Sequence, residues 1–376
     1  MKHNTKILFK AIEDKTIVWF SANNEYVVVE NETAAILEKR QSGISVKEIA
    51  SEIAEKLKVP YKNAKEIILE LENHFFKGKY SENVPHVKNA EGIKKPTSYG
   101  FVDYYSINEI VCKVSYLSAK ERELIHPKFA HLMAEPSEKF HHEFEVFIEN
   151  KKVYLFINQQ FIDAWYHQEV HYFQGKFSME LIQKIHQKEE EEWLGVFHAS
   201  AVSNGKKSIF FLGDSGNGKS TSLALLQANG FICLADDFVP VASENNEVYS
   251  FPAGISIKRN SLTTLLPFYP ELQTATEYNF TNLNKIVRYL PPNNADFKTH
   301  LPCEKLIFIK YEKDSDLQVY SISKINAFQQ LVPDSWLSPI KENVANFLDW
   351  FENLHCYQIT YSDNEKMIGK VRELFE

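Results

Sequence analysis

Residues 213–220 read G-D-S-G-N-G-K-S, and this stretch leaves the chain on either side few options. Several backbone N–H groups can point into one concavity only if glycines take up the turn between an entering strand and a departing helix. Both are present in the sequence. Ser208-Ile-Phe-Phe-Leu212 is an apolar strand, and residues 221–229 carry Leu223, Leu225 and Leu226 on a helix closed by Gly230. Phe231-Ile-Cys-Leu-Ala235 then reads as the next buried strand, ending at Asp236-Asp237. In that setting Gly213, Asp214, Ser215, Gly216, Asn217 and Gly218, with Thr221, are expected to cradle phosphates while Lys219 reaches the terminal ones. Ser220 and Asp237 are the expected ligands of Mg²⁺, so ATP and Mg²⁺ are the expected cofactors.

A chain of 376 residues with 44% hydrophobic and 13% aromatic content can bury two or three cores. No apolar run approaches bilayer length and the start does not read as a signal peptide, so the expectation is a cytoplasmic protein with no membrane partner. The four cysteines, Cys112, Cys233, Cys303 and Cys356, form no Cys-x-x-Cys pair and read as buried thiols. A formal net charge of −8 argues against nucleic acid as a partner. His167-Gln-Glu169-Val-His171 places three ligand-type side chains on one face of an expected strand, but it lacks the helical His-Glu-x-x-His spacing, and no zinc site is expected.

Three regions follow from the patterning. Residues 1–80 show strands at 6–11, 17–20 and 26–30 and then three helices. Asn31 is the expected cap of the first, Ser45 and Glu48 form a capping box on the second with Ile49, Ile53 and Leu57 on one face, and Pro60 opens the third, which is expected to bury Ile67, Leu71 and Phe75. Strands followed by three short helices describe a small winged-helix module. Residues 81–99 are polar, contain Pro85, Gly92 and Pro96, and read as a linker. Residues 100–376 form one further block: a strand-rich, mostly antiparallel lead-in over 100–195 with a helix at 179–192, then a nucleotide-binding core over 196–376. Asn204-Gly205 joins strands 196–203 and 208–212 as a hairpin, so the strand entering the loop is expected to have an antiparallel neighbour in a mixed sheet. The fold class is therefore α/β, α+β overall.

Phe197-His-Ala-Ser-Ala201, the loop at 213–220 and Leu234-Ala-Asp-Asp-Phe238, in that order, resemble the catalytic core of the HPr kinase/phosphorylase family and its smaller relatives. The resemblance implies a P-loop kinase in which Asp236 accepts the proton of an acceptor hydroxyl, Asp237 supports the metal, His198 orients the carboxylate pair and Lys219 neutralises phosphate. It also implies a homo-oligomer. Lys258 or Arg259 stands where relatives carry a basic residue, a phosphate clamp or a surface strand position. The Gly-rich signature that true HPr kinases carry after the aspartates is missing, which sets HPr aside as the substrate.

The front module resembles PqqD-like domains, the leader-peptide recognition elements of ribosomal-peptide modification enzymes, through Tyr26-Val-Val-Val-Glu-Asn-Glu-Thr-Ala-Ala-Ile-Leu37 and Ser45-Val-Lys-Glu-Ile-Ala50. That resemblance implies a leader peptide added as a strand along Tyr26, Val27, Val28 and Val29, toward the third helix. A DNA-binding winged helix is disfavoured, because that helix sets Lys62 and Lys65 against Glu66, Glu70 and Glu72. Together the two resemblances imply a kinase of a Ser or Thr hydroxyl on a ribosomally made precursor peptide. A kinase of a small hydroxylated metabolite and a nucleotide-gated regulator without group transfer are the alternatives.

Overall fold

The computed structural model describes residues 6–78, 92–280 and 285–376. The chain forms two compact units, one of Met1–His86 with Ile322–Asn353 and one of Val87–Ser321 with Leu354–Glu376. The expected undivided block at 100–376 is thus interrupted, since residues 322–353 return to the first unit. The expected linker at 81–99 lies partly outside the described residues.

In the first unit, Ile7–Ile12 (β1), Lys15–Phe20 (β2) and Glu25–Glu30 (β3) form an antiparallel sheet with β2 in the middle. Ile17, Val18, Trp19 and Phe20 are all buried, and a central strand with an unbroken apolar run needs cover on both faces. One cover comes from Ala34 and Leu37 of the helix Asn31–Gln41 (α1) and from Phe75, stacked on Phe20. On the other face, Tyr26 sets its ring edge-on against Phe328 and Phe347 of the helices Lys324–Leu331 and Lys341–Asn353. That second cover is what the returning segment supplies.

The helices differ from expectation in phase. Glu30, not Asn31, is the N-cap of α1; the Asn31 Oδ1 accepts from Thr16 Oγ1 at 2.7 Å instead. The capping box of Ser45 and Glu48 on Val46–Leu57 (α2) is present. Ile49 and Ala50 pack on Ala64 and Ile68 of Tyr61–Glu72 (α3), whereas Leu57 and Ile67 are exposed. Of the other residues expected inside, Ile53 packs against this cluster, Leu71 against the core under the sheet, and Phe75 is buried in that core.

The second unit begins with a five-stranded sheet of Phe101–Ile107 (β4), Ile110–Tyr116 (β5), His142–Glu149 (β6), Lys152–Ile157 (β7) and Gln160–Tyr166 (β8), antiparallel except for β5 on β6. The helix Ala119–Phe129 (α4) makes the β5–β6 crossover. Here Asp103 of β4 is buried and fully clamped. Arg122 of α4 donates to both its oxygens at 2.7 and 3.1 Å, His126 one turn on lies 3.2 Å away, and the Tyr105 hydroxyl donates at 3.1 Å. Burial alone would raise this carboxyl, but the hydrogen bonds from His126 and Arg122 outweigh it and hold the pKa at about 2.

The helix Val170–His186 (α5) starts earlier and ends sooner than expected, and the His167–Glu169 segment is a 3₁₀ turn rather than a strand. His171 therefore sits on α5, off any strand face. Among the described residues no cluster of His, Cys, Asp and Glu suits a metal ion, and no helix is long and apolar enough to cross a membrane. All four cysteines are buried.

Trp193–Phe197 (β9), Ser200–Ser203 (β10) and Ser208–Leu212 (β11) follow. The expected single strand at 196–203 is thus two strands with a break at His198-Ala199. The helix Lys219–Ala228 (α6) and the strands Ile232–Asp236 (β12), Val239–Ala242 (β13), Glu247–Tyr249 (β14), Ile255–Lys258 (β15), Tyr278–Phe280 (β16), Lys285–Leu290 (β17), His300–Tyr311 (β18), Gln318–Ser321 (β19) and His355–Tyr361 (β20) complete the unit with the helix Asn364–Phe375 (α7). In the large sheet β12 pairs β10, β10 pairs β11 as the antiparallel hairpin expected from Asn204-Gly205, and β11 runs parallel to β18, as does β20 on the far side. The sheet is mixed. Its core joins Leu223, Leu225 and Leu226 of α6 to Ile209, Phe211, Ile307, Ile309 and Ile359, and α7 covers it with Met367, Ile368 and Val371. Each such fully buried aliphatic side chain stabilises by roughly 1.5–3 kcal/mol, which makes the strand ends under the loop rigid.

Candidate functional site

Two backbone irregularities place the candidate residues. On one side of the sheet Ser200 pairs with Asp236, and further along Phe197 pairs with Val239. Between those pairs His198 and Ala199 are left over on one segment and Asp237 and Phe238 on the other. The ladder opens at that point, and His198 and Asp237 come to line the same cavity. Asp237 does so in the left-handed region, at φ 62°, a conformation an aspartate tolerates better than most residues at a cost of order 1 kcal/mol.

The loop between β11 and α6 forms the floor. Gly213 has φ 135°, and a Cβ there would stand 2.7 Å from the Ile309 carbonyl oxygen of β18; Gly218, at φ 95°, precedes the first turn of α6. Gly216, between them, is also in the positive range at φ 103°. The cavity has a volume of about 190 Å³, and its wall includes Asp214, Ser215, Gly216, Gly218, Lys219, Ser220 and Thr221. Asn217 is the one member of residues 213–221 besides Gly213 that does not line it; its carbonyl accepts instead from the Tyr311 N–H at 3.0 Å. Lys219 is buried and donates through Nζ to the Gly213 carbonyl. Lys258, at the end of β15, also lines the cavity and donates to Ser215 Oγ at 2.8 Å, while Arg259 turns away to pair with Glu277.

The two aspartates have separate environments, as adjacent residues at a strand end must. Asp236 is only 3% exposed and lies behind the cavity wall. It accepts from Ser200 Oγ at 2.6 Å, from the Ser256 N–H at 3.1 Å and from Ser220 Oγ at 3.2 Å. Burial raises its pKa to about 6, the negative charge of Asp237 adds to the rise, and the three donors oppose it. Asp237 itself reaches the cavity.

The arrangement fits a polyphosphate with a divalent cation. The loop glycines hold backbone conformations that side chains rarely adopt, two lysines converge, and a buried carboxylate accepts from the hydroxyl of Ser220. Sequence reasoning brought together His198, residues 213–221, Asp236 and Asp237, and it marked Lys258. It missed Ser200, Ser256, Asn260 and Ser261. Ser200 carried a usable signal, a small hydroxyl in a buried strand directly across from Asp236. Ser256 carried none, because it acts through its backbone N–H. In the first unit, Val27 and Val29 face their own core and Tyr26 faces Phe328 and Phe347, so the part of residues 26–29 left for a partner strand is the outer main-chain edge of β3.

No protein family matches this chain, and no curated protein is found to be a relative of it.

Proposed function

We propose that the second unit is a Mg²⁺- and ATP-dependent kinase that phosphorylates an alcohol. The observation that carries the reading is the convergence of Lys219, Lys258, Ser220, Asp237 and His198 on one cavity backed by buried Asp236. Lys219, Lys258 and the loop N–H groups bind and orient the phosphates. Ser220 and Asp236 are the residues that would hold the cation, which neutralises charge on the transferred group. Asp237 then takes the part of base, and the expected division of labour between the two acids is exchanged. Asp236 is turned to Ser220 and walled off, whereas Asp237 faces the space where an acceptor would stand, with His198 beside it across the opened ladder. The acceptor oxygen gives its proton to the Asp237 carboxylate as its bond to phosphorus forms and the bond to the leaving diphosphate breaks.

The acceptor class that fits best is a Ser or Thr hydroxyl on a peptide, since the first unit ends its sheet in an edge strand able to take a further strand. Full-length protein incubated with ATP, Mg²⁺ and the short peptide encoded in a neighbouring reading frame should yield a peptide heavier by one phosphate, and less of it when the leader is removed. If ATP binds but neither this peptide nor any hydroxylated metabolite gains phosphate, and ATP instead changes the oligomeric state, the kinase reading is wrong.

A further inference from the structure

The cavity is too small for a whole nucleotide. At about 190 Å³ it falls below the ~300 Å³ at which pockets for drug-sized ligands begin, so it takes phosphates and a cation and leaves the nucleoside outside. The nucleoside must leave by a flank of the loop. On the β10 and β12 side stand His198, Asp237 and the acceptor space, another wall is made by Ser256, Lys258, Asn260 and Ser261, and beyond β11 in the sheet stands β18. In an open α/β sheet ligands extend over the carboxyl ends of the parallel strands, here β11, β18 and β20.

At the end of β18 stands Tyr311, 49% exposed although it follows four buried residues, Leu306 to Ile309, and Lys310. Its position is fixed. The Tyr311 N–H donates to the Asn217 carbonyl inside the loop at 3.0 Å, and its Cβ lies 3.4 Å from where a side chain on Gly218 would begin. Its ring sits edge-on to Tyr361 at the end of β20, with centroids 5.6 Å apart. Tyr361 is buried and its hydroxyl shares a 2.8 Å hydrogen bond with Ser222 Oγ in the first turn of α6. A rigid aromatic face is therefore held beside the loop, backed on one edge and open to solvent.

Resting on the kinase reading above, we propose that Tyr311 is the stacking platform for the base of the nucleotide. Stacking a base on an aromatic side chain contributes ~1–3 kcal/mol and tolerates any base, so the platform favours nucleotides over inorganic polyphosphate without choosing adenine by hydrogen bonds. Phe268, the exposed ring that follows the Ser261 segment, has no hydrogen bond to the loop and is the natural control.

The test compares the binding of Mg²⁺-ATP and Mg²⁺-tripolyphosphate to the full-length protein by calorimetry. Tyr311→Ala should weaken ATP by about 5- to 100-fold and leave tripolyphosphate within twofold, Tyr311→Phe should restore ATP, and Phe268→Ala should change neither. Tyr311→Trp should gain a fluorescence signal quenched by ATP and not by tripolyphosphate. Equal losses for both ligands, no loss for either, or a loss only in Phe268→Ala would overturn the platform. Binding of tripolyphosphate without binding of ATP in the unaltered protein would overturn it together with the kinase reading, whereas ATP binding that ignores Tyr311 would overturn the platform alone.

Discussion

Among its described residues the second unit buries two aspartates, and it treats them oppositely. Asp103 receives a two-pronged guanidinium, a histidine and a phenol, and its pKa is held at about 2. Asp236 receives two hydroxyls and an amide N–H, has a second carboxylate next door, and rises to about 6. Both side chains have little exposed surface, but Asp236 lies the deeper of the two, and burial is the largest cause of its rise. Neutralisation separates them too: the first carries its counter-charge in the fold, whereas the second is met by three uncharged donors and has the Asp237 carboxylate beside it. A carboxylate left in that condition costs stability, and proteins keep such a cost where chemistry needs it.

The largest effect that can test this contrast is on transfer. Asp237→Asn should lower phosphate transfer by ~10²–10⁴-fold, as for loss of a general base, with an unchanged melting temperature; Arg122→Ala should leave transfer per folded molecule unaltered. Retained turnover in Asp237→Asn would return the base to Asp236 or remove it altogether. On stability the ranking reverses. Arg122→Ala leaves the Asp103 charge buried without its main partner and should cost ~3–5 kcal/mol in urea unfolding at pH 7.

The pH dependence sharpens the comparison further. Asp103 has a folded pKa below the ordinary aspartate value of 3.8, so its contribution is present above pH 4 and is lost as pH falls toward 2. Asp236 has the opposite sign. Its folded pKa lies above 3.8, so the stabilisation of its protonated form is present below pH 4 and is lost as pH rises through 6. Asp236→Asn should therefore stabilise the protein by up to ~3 kcal/mol at pH 8 and by little at pH 4. A variant that is less stable than the parent at pH 8 would show the carboxylate to be already balanced. The smallest effect is the cation's own: Mg²⁺ at ten times its Kd should stabilise the parent by ~1.4 kcal/mol and Asp236→Asn far less, read as a shift in thermal midpoint.

Much of the cavity was legible because it is local. Glycines at fixed offsets, an apolar strand before them, a leucine-bearing helix after them and the hairpin signal at Asn204-Gly205 each depend on a few neighbouring residues, and each is found in the structure. The break at His198-Ala199 was not legible, since an apolar run reads the same whether or not its two halves pair with different strands. Nor was the Ser256 N–H, which reaches Asp236 from a strand 20 residues later in the chain. Residues 322–353 show why domain limits are harder still. Phe328 and Phe347 sit on amphipathic helices whose spacing fits a core in either unit, and only the tertiary contact with Tyr26 assigns them. The two misplaced residues of α2 and α3 have a similar origin, because Leu57 and Ile67 are good core residues that neighbouring geometry leaves outside, while Ile49, Ile53, Leu71 and Phe75 pack as expected.

The chain visits each unit twice, and this bears on how the protein is made. As it leaves the ribosome, the first unit has β1, β2, β3 and three helices but must wait for about 240 further residues before the helices that meet Tyr26 emerge. The second unit has the shorter interruption, from Ile322 to Asn353, before β20 and α7 are added. A fragment ending near residue 86 therefore exposes the apolar surface that Phe328 and Phe347 cover, and should stick to itself or to chaperones.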